Sequence, residues 1–276
     1  MDASNKFGIS QGRLTNNSKG LLQHFPQENW EEEFKIASSV GLSFIELLTE
    51  RDFNSENPVW SDKGRDAIRS IVKSNNLEIY SICADYIIDH SLFDINVDDT
   101  IDMMKRLFNA SEELSCKIII LPFLEENNIT KDNLNKYVSI IQNLSELTEN
   151  EKTILSIESL LEARDLRTLI EKVNKNNVRC VFDTGNRVNF RQDLYDEILI
   201  LDDLISHVHI KDKNSNDTNV ILGTGLVNFN SVFSALSKIK YRGNYNFETT
   251  RGNNPLRTAT YHLNLCKFFK EENFNK

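Results

Sequence analysis

The chain has 276 residues, of which 39% are hydrophobic and 26% charged, close to the balance of an ordinary globular protein. A chain of this length buries most of its unfolded surface and needs no staples to fold. Its 32 Lys and Arg against 41 Asp and Glu leave a formal charge of −9, which argues against a general affinity for nucleic acid and leaves room only for a small anionic ligand held by a few well-placed cations. Cys83, Cys116, Cys180 and Cys266 are scattered and contain no CxxC pair. They read as reduced core residues of a cytoplasmic protein and exclude a disulfide scaffold or a cysteine zinc motif. The opening MDASNKFGIS lacks the pattern of a signal peptide, and no apolar run approaches the roughly 20 residues that span a bilayer, so neither export nor a membrane is expected.

Short apolar runs alternate with longer segments of helical period. The runs are Phe7–Ser10, Phe44–Leu48, Glu78–Cys83, Lys117–Leu121, Ile154–Glu158, Val178–Asp183, Ile205–Ile210 and Tyr245–Glu248. Several are nearly continuous Ile, Val and Leu, as strands buried on both faces of a parallel sheet require. Trp30, Phe34, Ala37 and Val40 recur at helical spacing after the first run, with Asn29 and Glu32 as a capping pair and Pro26 and Gly41 marking the ends. Glu31, Glu32 and Glu33 read as a helix-start charge run that suits the helix dipole and needs no function, as do Asp98 and Asp99. Further stripes are Ile101, Met104, Leu107 and Leu114; Leu134, Val138, Ile141 and Leu144; Phe229, Phe233, Leu236 and Ile239; and Tyr261, Leu265 and Phe268. Eight strands, most followed by a helix, predict a (β/α)8 barrel that occupies residues 1–276 as a single domain. An open doubly wound sheet would call for a GxGxxG turn after the first strand, where the chain has Gln11-Gly12-Arg13-Leu14 instead.

Barrels of this kind carry their chemistry at the C-terminal ends of the strands. Strand five ends in Glu158, strand six in Asp183, strand seven in His209 and strand eight in Glu248. Three carboxylates and one imidazole on four consecutive strands suit one divalent ion, Mn²⁺, Mg²⁺, Co²⁺ or Zn²⁺, with positions left for substrate oxygens. His207 shares the face of His209 but lies deeper, and reads as a packed barrel residue.

Phe182-Asp183-Thr184-Gly185-Asn186, His209-Ile210-Lys211-Asp212 and Leu222-Gly223-Thr224-Gly225, followed by Val227-Asn228-Phe229, resemble, in order and spacing, motifs of the xylose-isomerase-like TIM-barrel superfamily, in particular its sugar-phosphate isomerase and epimerase branch. Gln11-Gly12-Arg13-Leu14 is also frequent there. The resemblance implies that Glu158, Asp183, His209 and Glu248 are the metal ligands and that Glu158 and Glu248 are the acid–base pair. It implies a divalent-metal-dependent epimerase or isomerase of a sugar or sugar phosphate. One carboxylate removes a proton beside a ketone, the cation stabilises the resulting enediolate, and the other carboxylate returns a proton from the opposite face. Relatives often form homo-oligomers. Thr224 stands where many members have a glutamate, and Asn186 where some epimerases of unphosphorylated ketoses have a histidine; Asn186 favours the sugar-phosphate branch.

Weaker candidates surround this set. Asn186 is a candidate for substrate binding; Glu46 reads equally as a ligand of a sugar hydroxyl or a structural ion-pair partner, and His90 equally as a hydroxyl ligand or a loop histidine in solvent. Arg13, Lys211 and Arg251 could hold a phosphate or carboxylate. Trp60 and Phe123 are possible pocket walls. Three other readings stand beside the epimerase: a dehydratase of an inosose-type keto-polyol, a catalytically inactive sugar-binding barrel, and an endonuclease-IV-like repair enzyme. Five histidines and a charge of −9 disfavour the last.

Overall fold

A computed structural model describes residues 5–16, 20–90, 92–93, 97–148, 153–189 and 193–274; the first four residues of the opening segment read above lie outside this range. The strands are β1 (Phe7–Ser10), β2 (Phe44–Thr49), β3 (Glu78–Ala84), β4 (Ile118–Phe123), β5 (Ile154–Ser159), β6 (Val178–Asp183), β7 (Ile205–Ile210) and β8 (Asn244–Phe247). All pair in parallel in sequence order, and β8 closes the barrel on β1 through Phe7–Tyr245, Gly8–Asn246 and Ile9–Phe247. The helices are α1 (Trp30–Val40), α2 (Asp62–Ser74), α3 (Tyr86–Asp89), α4 (Val97–Glu113), α5 (Leu134–Glu146), α6 (Ala163–Val173), α7 (Thr184–Val188), α8 (Leu194–Leu201), α9 (Phe229–Lys238) and α10 (Pro255–Phe274). The expected (β/α)8 barrel is therefore the fold. Strand limits move by one or two residues: β4 runs on to Phe123, and β8 stops at Phe247, so Glu248 stands just beyond its strand.

Alternation along each strand divides the core in two. Outward-facing residues pack with the helices in one large apolar layer that includes Ile9, Phe34, Ile45, Ile119, Ile157, Phe182, Val208, Phe233 and Phe247. Leu48, Cys83, Ile118, Ile120 and Val181 form a separate apolar cluster from the inward positions of β2, β3, β4 and β6. Most other inward positions are polar: Ser10, Glu46, Ser81, Ser156, His207, His209 and Asn246 are all buried, with Phe44 packed beneath them against His207. The barrel interior thus has an apolar sector and a polar one, and the polar sector leads up to the rim of β5 to β8.

Three local expectations are corrected. Asn29 makes no side-chain cap, so the pair with Glu32 does not form. Glu33 does more than suit the helix dipole: it is fully buried and accepts hydrogen bonds from the backbone of Gly12, Leu14 and Thr15 at 2.7–3.0 Å, pinning the loop after β1 to α1. Within an acidic run nothing local distinguishes the one residue that turns inward. The stripe of α10 is also misplaced. Ala259, His262, Leu263 and Cys266 are its buried face, while Tyr261 and Phe268 point outward, because small and polar residues carry the packing there. At the end of α1, Gly41 takes the left-handed conformation (φ 88°) expected of a helix terminator. All four cysteines are buried free thiols, and among the described residues no helix is long and apolar enough to cross a membrane.

His262 ties α10 to the barrel: its Nδ1 lies 3.1 Å from Thr249 Oγ1 and its Nε2 accepts from Leu222 N at 3.3 Å. Burial pushes it down to about 4. Its folded value lies below the unfolded value of about 6.5, so the unfolded chain takes up the proton first and stability falls as pH drops through that window. About 2 kcal/mol should be lost between pH 7 and pH 5 from this group. Urea unfolding of wild type and His262→Gln across this range measures the term as a difference in slope, and parallel slopes would refute it.

Candidate metal and catalytic site

Glu158, Asp183 and His209 are the inward-facing residues nearest the C-terminal ends of β5, β6 and β7, and Glu248 follows β8 with its N–H bonded to Ile210 O at 3.1 Å. Register places Asp183 opposite His209, and His209 opposite Asn246. One ligand atom from each of the four lies within 4.8 Å of the other three. Donors bound at about 2.0–2.2 Å from a shared ion stand at most ~4.4 Å apart, so small side-chain adjustments close the set around one cation. Asp183 Oδ1 accepts from Asn186 N at 2.7 Å and starts α7, whereas its buried Oδ2 has no aligned hydrogen-bond donor. Lys211 Nζ is 2.9 Å from that oxygen and 3.0 Å from Glu248 Oε2, a close charge contact rather than a well-directed bond at Asp183. Three carboxylates, one imidazole and an oxygen short of a donor fit a divalent ion of the hard to borderline class.

The electrostatics separate the two glutamates. Burial pushes Glu158 up to about 8; His209 and Lys211 pull it down, while Asp183 and Glu248 add to the rise. Burial acts in the same sense on Glu248, but Lys211, His209 and Arg13 outweigh it and hold that carboxyl well below its usual range. Carboxyls driven apart in this way are characteristic of acid–base pairs. Asn186 Nδ2 donates to Glu158 Oε1 at 2.8 Å, and Arg13 Nη2 lies 3.4 Å from Glu248 Oε1.

The other sequence candidates have distinct positions. Glu46 lies inside the barrel below the set, 2% exposed, and accepts from Ser10, Ser81 and Asn246 while facing both His207 and His209. His207 is fully buried, as a packed barrel residue should be, and its Nε2 is 3.0 Å from Glu46 Oε2. Arg251 binds the carbonyls of Gly12, Gly20 and Leu21, and Arg13 binds Leu22 O and Gln23 Oε1. Both arginines therefore secure the β1–α1 loop. His90 stacks on Tyr86 at 3.7 Å between ring centres, with its Nδ1 2.9 Å from Tyr86 O. Phe123 faces outward onto Tyr137, and Trp60 packs with Phe53 beside Arg106, so neither ring has the inward orientation expected of a pocket wall.

Three further residues build the rim, and of these only Asp212 belongs to a motif noted in the sequence. Arg187, 2% exposed, ties Glu197 of α8 (2.6 Å) to the carbonyls of Ser159 and Leu161 after β5. Asp85 is buried at the end of β3; burial pushes it up to about 6, and the Cys83 thiol lies 3.1 Å from its Oδ1. Asp212 accepts from the N–H groups of Gly223 and Gly225 at 2.9 Å and of Val227 at 3.0 Å, shaping the β7–α9 loop. A Cβ at Gly225 would lie 2.3 Å from Asp212 Oδ1, which explains the glycine. The motif residues Asp212 and Gly225 were visible in sequence, but their mutual contact was not.

Fold and site together define a parallel α/β barrel with a rim site suited to a divalent metal. Residues 34–270 match the model of the family described as xylose isomerase-like TIM barrel, and the chain belongs to that family. The L-ribulose-5-phosphate 3-epimerase UlaE of Escherichia coli is 23% identical over 241 residues, covering 80% of this chain and 82% of its own length. A solved L-ribulose 3-epimerase superposes with a TM-score of 0.77 at 18% identity, covering 98% of this chain and 96% of its own. The IOLI protein, solved with a bound zinc atom, gives a TM-score of 0.76 at 17% identity, with 98% of each chain covered. The sequence relatives are isomerase-class enzymes; the solved structures, at these identities, share the fold.

Asp212→Ala removes the acceptor of three backbone N–H groups. At about 1 kcal/mol or more for each bond left unmade, the expected loss is on the order of 3 kcal/mol, read as a lower urea midpoint and new proteolytic cleavage between residues 213 and 227. An unchanged midpoint and cleavage pattern would show that the loop holds its shape without Asp212.

Proposed function

We propose that this protein is a divalent-metal-dependent epimerase or isomerase of a ketose or ketose phosphate. The observation that carries the reading is the convergence of Glu158, Asp183, His209 and Glu248 within 4.8 Å at the strand ends. The naming of its sequence relatives as sugar-phosphate 3-epimerases supports it. Glu158, Asp183, His209 and Glu248 would hold the ion, which when bound would polarise the substrate carbonyl and offset the negative charge that develops on its oxygens.

The chain's own residues do the rest. Glu158 and Glu248 come from strands three apart around the barrel and stand to either side of Asp183 and His209 in strand order. One takes the proton from the carbon beside the carbonyl, and the other delivers a proton to the opposite face, which inverts that centre. Asn186 orients Glu158 through its 2.8 Å hydrogen bond, and Arg13 and His209 orient Glu248. Lys211, buried between Asp183 and Glu248, supplies a fixed positive charge to the same space and can donate to a substrate oxygen. Delivery of the proton to the neighbouring carbon instead would convert ketose to aldose.

Removing either proton carrier costs the full acid–base contribution, about 10²- to 10⁴-fold or more. Glu158→Gln and Glu248→Gln are each expected to abolish uptake of solvent deuterium into ketoses and ketose phosphates while leaving the circular dichroism spectrum unchanged. Mass spectrometry of the products separates the chemistries, because epimerisation in deuterium oxide adds one mass unit whereas dehydration removes water. Elemental analysis should find about one divalent ion per chain in wild type and none in Asp183→Asn. Normal turnover in either glutamine variant would overturn the acid–base assignment.

A further inference from the structure

His209 is hydrogen-bonded on both ring nitrogens by different groups. Its Nδ1 faces the rim set, 3.1 Å from Glu248 Oε2 and 3.8 Å from Asp183 Oδ2. Its Nε2 faces inward, 3.2 Å from Glu46 Oε1 and 3.3 Å from Oε2. Glu46 is itself immobilised from every side: Ser10 Oγ (3.2 Å) and Asn246 Nδ2 (2.9 Å) donate to Oε1, and Ser81 Oγ (2.6 Å) and His207 Nε2 (3.0 Å) meet Oε2. These partners come from β1, β8, β3 and β7, so the carboxylate is fastened across the barrel. It is 2% exposed, and each of its oxygens is already engaged by protein. A group in that position is poorly placed to take a sugar hydroxyl.

We propose that Glu46 is a positioning residue: it holds the proton of His209 on Nε2, presents Nδ1 to the metal, and strengthens that nitrogen as a donor. This rests on the metal-site reading above. A carboxylate on the far nitrogen of a ligating imidazole fixes the tautomer and ring orientation and raises ligand basicity. The benefit depends on the ion. Co²⁺ and Zn²⁺ bind imidazole readily, whereas Mg²⁺ prefers oxygen ligands and gains little from a better nitrogen. Glu46 therefore tunes the site toward the nitrogen-binding ions, and His207, Ser10, Ser81 and Asn246 are the frame that keeps it in place.

The test is calorimetric titration of Co²⁺ and Mg²⁺, each alone, into metal-stripped wild type and Glu46→Gln. Glutamine keeps the shape and one acceptor oxygen but removes the charge. The expected result is a Co²⁺ dissociation constant raised about 10- to 100-fold, with a distinctly smaller factor for Mg²⁺ and a shift of the Co²⁺ visible absorption bands. Equal loss of both ions would mean that Glu46 only supports the fold around the site, and no loss of either would mean that it does not act on His209; both outcomes overturn the proposal. If Glu46→Gln is recovered unfolded, Ser81→Ala takes its place, since it removes a donor to Glu46 and touches neither imidazole. The same ordering of Co²⁺ over Mg²⁺ at smaller amplitude is then expected, and equal or absent effects again refute it. Wild type that binds neither ion would bring down the metal-site reading itself, whereas wild-type binding with an unaffected variant brings down only the role of Glu46.

Discussion

Three carboxylates, those of Glu158, Asp183 and Glu248, are brought together in a buried space only a few ångströms across. Their mutual repulsion is the constraint to which the rest of the site responds, because in a low-dielectric interior like charges at such distances cannot all persist without positive charge between them. The response is visible in each neighbour. Lys211 places its ammonium between Asp183 and Glu248, Arg13 approaches Glu248, and His209 is held between Glu248 on one side and Glu46 on the other. Glu158, which no cation bonds among the described residues, is pushed upward by burial. A divalent ion is the natural completion of such an arrangement.

The barrel makes this concentration of charge tolerable by keeping it in one sector. Inward positions of β2, β3, β4 and β6 supply Leu48, Cys83, Ile118, Ile120 and Val181, which pack as an apolar plug. Those of β1, β7 and β8 supply Ser10, His207, His209 and Asn246, which hydrogen-bond to one another through Glu46. The rim thus rests on a polar column joined through Glu46, beside an apolar cluster. The loops above are secured by charged side chains on backbone groups as well as by buried apolar residues such as Leu14, Leu161 and Leu222: Arg251 and Arg13 hold the β1–α1 loop, Arg187 the β5–α6 turn, and Asp212 the β7–α9 loop. Cations that sequence reading offered as phosphate ligands are thereby found at work on the backbone or on the acid set.

Much of this was legible in the linear chain because strand periodicity and strand-end chemistry are local properties. Runs such as Lys117–Leu121 and Ile205–Ile210 announce buried strands, and an acid or imidazole at the end of four successive runs already points to one rim. What misled were residues whose burial depends on partners distant in sequence. Glu33 belongs to an acidic run that the helix dipole alone accounts for, until Gly12, Leu14 and Thr15 fold against it. Phe268 looks like core at helical spacing, yet Cys266 and His262 take the inner face of α10. Glu46 at a strand end reads equally as a substrate ligand or an ion-pair partner, and only the contacts with His207 and Asn246, some 160 and 200 positions away, decide for the second.

The order of eight strands and their helices, the parallel barrel and the four strand-end residues that meet at one rim follow from the linear chain, because parallel strands deliver their C-terminal ends to the same face. How each side chain is employed follows from the closed fold. It assigned Nδ1 of His209 to the rim and Nε2 to Glu46, set Lys211 between two acids, turned Arg251 onto loop carbonyls, and closed Asp212 over Gly225. These are contacts across the barrel, fixed by which strands become neighbours when the sheet closes, and no window of local sequence contains both partners.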